Sequence, residues 1–241
     1  IGSAEHLLRV DPVAAAGLLE AATGQLPHSV QLHYLLGNAQ RMCARKTEAE
    51  ASLRRAIAQD PAHTNASLSL VHLLREQGRM QALADVMLAL WNSEPRSHDS
   101  DLRTLAFLCE CERFAEADTL AGPILEAHPD DPRLLRRAGE IALVLGRFDE
   151  ARLQLRKALA VDPTQASAWL RLAHTHRFTT YDDPDLVLLR GGAARNDLAE
   201  GAVTAIGFAL GKALDDLGEI AEASEVFGRS NARWHASDPW D

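Results

Sequence analysis

The sequence is poor in the residues that form sheets, disulfide frameworks and membrane spans. Aromatic side chains make up 5% of its 241 residues, and its three cysteines cannot all pair with one another. Strands favour aromatic and β-branched residues, so this composition favours helices. Unpaired thiols fit a reducing compartment, and no run approaches the roughly 18 consecutive apolar residues of a membrane span. We therefore expect a helical, cytoplasmic protein with no membrane partner.

Positive charge and catalytic motifs are scarce as well. The chain has 25 Lys and Arg against 34 Asp and Glu, a net charge of −9, and nucleic-acid binding needs basic residues facing the phosphates. Phosphate-binding loops, dinucleotide fingerprints, zinc-protease motifs and serine-hydrolase motifs are absent. Cys109 and Cys111, like His174 and His176, are two residues apart, which on a helix places them on nearly opposite sides. The sequence predicts no nucleic-acid partner, no enzyme activity, no cofactor and no metal site.

Prolines recur at an interval of 34 residues, at Pro27, Pro61, Pro95, Pro129 and Pro163. On this interval the chain divides into units that start near residues 30, 64, 98, 132 and 166, preceded by a partial unit. Small residues recur in step, with Gly37 and Gly139 at the eighth position and Ala49 and Ala151 at the twentieth. Each unit is predicted to be two helices that approach closely at the small residues. Proline then ends the second helix.

Local signals mark the ends of the predicted helices. Asp-Pro pairs at positions 11–12, 131–132 and 183–184 each predict an N-cap followed by a proline in the first turn. Gly78 and Gly146 are predicted to lie in the turns between the two helices of a unit. The large side chains of Phe148 and Trp169 are predicted to pack in the core rather than to bind a ligand.

This pattern resembles the tetratricopeptide repeat family, most closely in the unit with the landmarks Gly139, Gly146, Phe148, Ala151, Ala158 and Pro163. The resemblance implies an all-α, right-handed superhelical solenoid of about six helix-turn-helix units. We expect the solenoid over residues 1–176, an irregular helical insert over 177–203, and the final unit with a C-terminal cap over 204–241. The family resemblance also implies that the first helix of each unit lines a concave groove. The expected function is a non-catalytic scaffold that binds a protein or peptide.

Arginine occupies the sixth position of three consecutive units, as Arg103, Arg137 and Arg171. Other groove positions implied by the resemblance carry Asn38, Arg41, His72, Arg75, Arg136, His174 and Arg177. Guanidinium groups match carboxylates and phosphates through two parallel hydrogen bonds. The groove is therefore predicted to bind an acidic or extended segment of a partner. The alternative is that the arginines stay solvated or pair with the groove carboxylates Asp99, Glu110 and Glu140.

The C-terminal part carries a second resemblance. Residues 166–234, including the run FALGKALDDLGEIAEASEVFGRSNARW, resemble the repeat region of bacterial tetratricopeptide-repeat sulfotransferases. This resemblance implies an alternative function, the substrate-recruiting arm of a larger sulfotransferase whose catalytic domain is not in this chain.

Two tryptophans, Trp234 and Trp240, lie near the end of the sequence. Exposed tryptophans commonly contact a partner surface. This predicts a homodimer through the C-terminal end. The alternative is that Trp234 packs against its own helix.

Overall fold

The computed structural model describes residues 2–237, and side chains from residue 6 to residue 236. Fourteen helices and no strand occupy this range, which confirms the predicted all-α class. The helices are divided between two compact units, Ile1–Arg113 and Phe114–Asp241. Across residues 2–237, none of the helices combines the length and apolarity needed to cross a membrane.

The N-terminal unit is a succession of helices in which each packs against the next. They are α1 (Gly2–Val10), α2 (Pro12–Gln25), α3 (Val30–Met42), α4 (Lys46–Gln59), α5 (Thr64–Glu76), α6 (Met80–Ser93) and α7 (His98–Glu110). Helices α2, α4 and α6 begin at residues 12, 46 and 80, so the interval of 34 residues sets the position of each second helix. Ala15, Leu19, Leu35 and Leu36 belong to a buried apolar cluster at its N-terminal end.

The C-terminal unit contains α8 (Phe114–Ala127), α9 (Pro132–Val144), α10 (Phe148–Val161), α11 (Ala166–Ala173), α12 (Pro184–Ala193), α13 (Glu200–Leu217) and α14 (Ile220–Ser237). Helices α9 and α10 form one packed pair, and α13 and α14 form another. Helix α11 packs mainly against α13 rather than against α12, and α12 also packs against α13. Trp169, Phe178, Leu186 and Ile206 lie in the apolar core that these helices share.

The predicted Asp-Pro helix starts are confirmed. The side chains of Asp11, Asp131 and Asp183 each accept hydrogen bonds from two backbone amides of the following turn, and the proline after each aspartate begins the helix. These amides have no partner within their helix, so the caps satisfy donors that would otherwise be left to solvent.

The predicted close approaches at small residues are confirmed as well. A Cβ atom on Gly37 would lie 2.6 Å from Leu53 Cγ, and one on Gly139 would lie 2.7 Å from Leu155 Cγ. Both distances are too short for a real contact, so a Cβ at either position would force the leucine of the second helix to shift. The prediction that Phe148 packs in the core is wrong. It is the first residue of α10, at the turn end of the helix pair, and 49% of it is exposed.

The turns that follow α3, α5, α7 and α9 share one backbone conformation. Ala44, Gly78, Glu112 and Gly146 follow one another at intervals of 34 residues, and their φ angles are 60°, 68°, 58° and 77°. The turn positions predicted for Gly78 and Gly146 are confirmed. Glycine adopts this left-handed region without steric cost, whereas a residue with a Cβ does not.

Replacing Ala44 by glycine is therefore expected to raise the free energy of unfolding by about 0.5–1 kcal/mol. The left-handed conformation costs an alanine roughly 1–2 kcal/mol, and the larger entropy of glycine in the unfolded chain offsets part of the gain. Urea denaturation measures the change. The reverse substitution Gly78→Ala serves as the control and is expected to destabilise the chain. A stability loss in Ala44→Gly would contradict this account of the turn.

Candidate functional site

In the N-terminal unit, two of the predicted arginines each pair with one carboxylate on the first helix of the following repeat. The arginine on α3 pairs with a carboxylate on α5, and the arginine on α5 pairs with one on α7. Arg41 Nη1 lies 2.9 Å from Glu76 Oε1. Arg75 donates two hydrogen bonds of 2.6 Å to the two carboxylate oxygens of Glu110. Each pair joins one positive and one negative group, so the charges of these arginines are matched within the unit.

The other predicted residues of this unit are also accounted for. Arg103 pairs with Glu94, whose side chain is 8% exposed. Glu94 is the C-cap of α6, the second helix of its repeat. The predicted groove positions lie on first helices, so they did not include Glu94. Asn38 donates a hydrogen bond of 3.3 Å to the backbone oxygen of Tyr34, and His72 is exposed. The predicted arginines of the N-terminal unit are thus matched one to one by carboxylates.

The C-terminal unit places three predicted arginines around one carboxylate. Glu140, with a side chain 11% exposed, accepts hydrogen bonds of 2.6 Å from Arg137 and 2.5 Å from Arg171. Arg136 Nη1 lies 3.6 Å from the same carboxylate. Helix α9 supplies Glu140 and the two arginines three and four residues before it, which share one helix face. Helix α11 supplies Arg171. We call these four residues the arginine cluster.

The arginine cluster has more donors than its carboxylate can accept. Each guanidinium carries five N–H donors, and a carboxylate has about four acceptor positions. Arg171 Nε is buried and has no hydrogen-bond acceptor among the described side chains. Arg137 and Arg171 alone carry two positive charges against the one negative charge of Glu140, which leaves an excess of positive charge. The cluster is therefore chemically suited to receive another anionic group.

The two remaining predicted residues follow α11 instead of lying on it. Helix α11 has 8 residues, against 13 in α9, and ends at Ala173. His174 is its C-cap, and both His174 and Arg177 are exposed. They lie within six residues of Arg171 in the sequence, on the segment that follows α11.

A second periodic row of arginines stands at the starts of the second helices, at Arg45, Arg79, Arg113 and Arg147. Each pairs with a carboxylate on the preceding second helix. In the N-terminal unit the carboxylates are Glu20, Glu50 and Asp85, and in the C-terminal unit Arg147 pairs with Asp118. The spacing of 34 residues marks this row in the sequence, although the groove positions do not include it. Such exposed pairs contribute about 0–1 kcal/mol each and join consecutive repeats.

Helix α12 is fixed to α10 by a buried carboxylate. Asp185 has no exposed surface. Its Oδ1 lies 2.5 Å from Arg156 Nε, and its Oδ2 lies 3.5 Å from Arg152 Nε. The two arginines are four residues apart, so they lie on one face of α10. A buried carboxylate is tolerated because opposite charges surround it, and these ion pairs join the start of α12 to α10.

His176, Asp183 and Asp185 bring three potential metal-ligating atoms within 4.8 Å of one another. Asp183 lies 2.9 Å from His176 Nε2, whereas Asp185 lies 3.9 Å from Nδ1 on the other side of the ring. The carboxylates therefore do not converge on one ring nitrogen. Burial acts to raise the pKa of Asp183, but hydrogen bonds from His176 and two backbone amides lower it below its usual range. These contacts fix the start of α12.

Trp234 lies on α14 with 52% of its surface exposed, and Trp240 lies outside the described residues. The indole of Trp234 borders a surface cavity that α11 and α13 also line. The homodimer through this end stays a prediction.

The sequence model of the tetratricopeptide repeat family matches residues 132–175, a stretch that contains α9, α10 and α11. The chain is also similar in structure to a tetratricopeptide repeat protein from Parabacteroides merdae, with a TM-score of 0.54 and 16% identity over 97% of this chain and 91% of that one. For the Pseudomonas aeruginosa protein pilF the TM-score is 0.52, with 17% identity over 88% and 93% of the two chains.

The protein YrrB, described as a tetratricopeptide repeat protein with an unusual peptide-binding site, gives a TM-score of 0.51 and 16% identity over 87% of this chain and 97% of that one. At these identities the similarities establish the fold. No curated protein matches the sequence. The family match ends at residue 175, so the resemblance of residues 166–234 to sulfotransferase repeats stays a prediction. The cytoplasmic location also stays a prediction.

Proposed function

We propose that this chain, which has the fold of tetratricopeptide repeat proteins, is a non-catalytic scaffold that binds an acidic segment of a partner protein at the arginine cluster. The observation that carries this proposal is the ratio of charges in the cluster. The two guanidinium groups of Arg137 and Arg171 share the single, mostly buried carboxylate of Glu140. A carboxylate or phosphate on the partner would supply the missing negative charge and accept the remaining donors.

Glu140 also supports binding by ordering the arginines in advance. A free arginine side chain loses rotational freedom when it binds, at a cost of about 0.5–1.5 kcal/mol. Arg137 and Arg171 are already held by hydrogen bonds to Glu140, so part of this loss precedes binding. The exposed Arg177 adds positive potential near the end of α11, which favours the approach of an acidic segment.

We assign a smaller contribution to the predicted residues of the N-terminal unit. Arg41, Arg75 and Arg103 would each have to exchange a carboxylate of the chain for one of the partner, with little net gain. Asn38 and His72 offer neutral polar contacts that orient a segment without attracting it. The charge excess thus distinguishes the C-terminal unit as the anchor for the acidic segment.

Selection from a displayed library of short random peptides tests this function. The wild-type chain is expected to enrich peptides rich in Asp and Glu. The double variant Arg137→Ala/Arg171→Ala should lose that enrichment, whereas Arg41→Ala/Arg75→Ala, which removes the same number of charges, should keep it. Enrichment without acidic bias, or equal loss in both variants, would refute the proposal.

A further inference from the structure

An apolar cavity of about 330 Å³ lies in the same unit as the arginine cluster. Its walls include Leu170 of α11, Phe208 and Thr204 of α13, and Trp234 and Asn231 of α14. Two aromatic rings and a leucine make most of this lining apolar, with a hydroxyl and an amide as polar groups. The volume is at the lower end of the roughly 300–1,000 Å³ typical of ligand pockets, which suits one large side chain.

The cavity and the arginine cluster lie on the two flanks of α11. Leu170 lines the cavity, while the next residue, Arg171, reaches Glu140 on α9. Consecutive residues of a helix point about 100° apart, so the two side chains leave α11 in different directions. Packed helices are about 8–10 Å apart, and an extended chain advances about 3.3 Å per residue. An extended segment that crosses α11 over one such helix spacing therefore needs about three residues.

We propose that the cavity receives an aromatic or branched aliphatic side chain of the same acidic partner segment, about three positions from the acidic residue that binds the arginine cluster. This inference rests on the proposed function. The charge excess beside the cavity selects an acidic segment, and the lining of Leu170, Phe208 and Trp234 selects an apolar side chain on it. Removing such a side chain from water is expected to tighten binding roughly tenfold.

Two labelled peptides test the inference. Both carry the same run of glutamates, and one has Phe three positions beyond it where the other has Ser. Fluorescence anisotropy gives their dissociation constants for the wild-type chain and for two cavity variants. Gly201→Leu fills the cavity from the exposed first turn of α13, where a new Cβ meets no atom within 4 Å. Trp234→Ala removes one wall. Leu153→Ala, an exposed apolar residue of α10, is the matched control.

The Phe peptide is expected to bind the wild-type chain roughly tenfold more tightly than the Ser peptide. Gly201→Leu and Trp234→Ala should abolish this preference, and Leu153→Ala should keep it. Equal binding of the two peptides to the wild type, or a preference that survives in both cavity variants, would overturn the inference while the proposed function stands. Failure of both peptides to bind would refute the proposed function together with it.

Discussion

Alanine at both Arg137 and Arg171 is expected to weaken the binding of an acidic peptide at least tenfold. A hydrogen bond to a charged group contributes about 1.5–3 kcal/mol, and about 1.4 kcal/mol corresponds to a factor of ten in affinity. Removing two guanidinium groups from the arginine cluster is therefore expected to lower the affinity by more than a factor of ten. Anisotropy titration of a labelled glutamate-rich peptide at low ionic strength measures the effect, and added salt should weaken the wild-type complex.

Two control variants separate charge from geometry in this titration. Arg137→Lys/Arg171→Lys keeps both positive charges but loses the planar fork of donors, so we expect an affinity between those of the wild type and the alanine variant. Arg103→Ala removes an arginine that Glu94 already pairs and should leave the affinity nearly unchanged. Equal affinities for the wild type and the double alanine variant would exclude the arginine cluster as the binding site.

Replacing Asp185 by alanine is expected to lower the free energy of unfolding of the C-terminal unit by about 3 kcal/mol. Removing one partner from a buried ion pair costs roughly 3–5 kcal/mol. The lower end applies here, because Arg152 and Arg156 keep part of their side chains in solvent, with exposures of 28% and 38%. The contact between α10 and α12 should weaken first.

Chemical denaturation and limited proteolysis measure the two parts of this prediction. Cleavage within residues 177–199 should become faster in Asp185→Ala, because α12 loses its contact with α10. Asp182→Ala is the matched control, since Asp182 lies three residues earlier and is exposed. The same stability and cleavage rate in both variants would show that the buried carboxylate does not hold α12.

Most of the repeat architecture could be predicted because its signals are local. The prolines, the turn glycines and the Asp-Pro caps act within a few residues of the helix ends that they determine. The region after α10 could not be predicted in the same way. Helix α11 ends early and packs against α13. Helix α12 also packs against α13 and is joined to α10 by Asp185, whose partner Arg156 is 29 residues earlier in the sequence. Contacts of this kind depend on tertiary packing, which no interval reveals.

The candidate site was predicted in part. The interval identified Arg137 and Arg171, and Glu140 was among the carboxylates considered as their internal partners. In the N-terminal unit each predicted arginine has its own carboxylate, whereas in the C-terminal unit Arg137 and Arg171 share one. The interval does not predict this difference in pairing, because Arg103 and Arg137 occupy equivalent positions. The partner of Arg103 is Glu94 at the end of α6, and the groove positions do not include this residue.

Photo-crosslinking tests most directly whether the arginine cluster is where an acidic segment binds. A glutamate-rich peptide with a photoreactive side chain beside its acidic run is irradiated with the wild-type chain, and mass spectrometry identifies the attached residues. We expect attachment within residues 132–144 and 166–177 and its loss in Arg137→Ala/Arg171→Ala. Attachment to residues 30–42 and 64–76 instead, unchanged in that variant, would contradict the account.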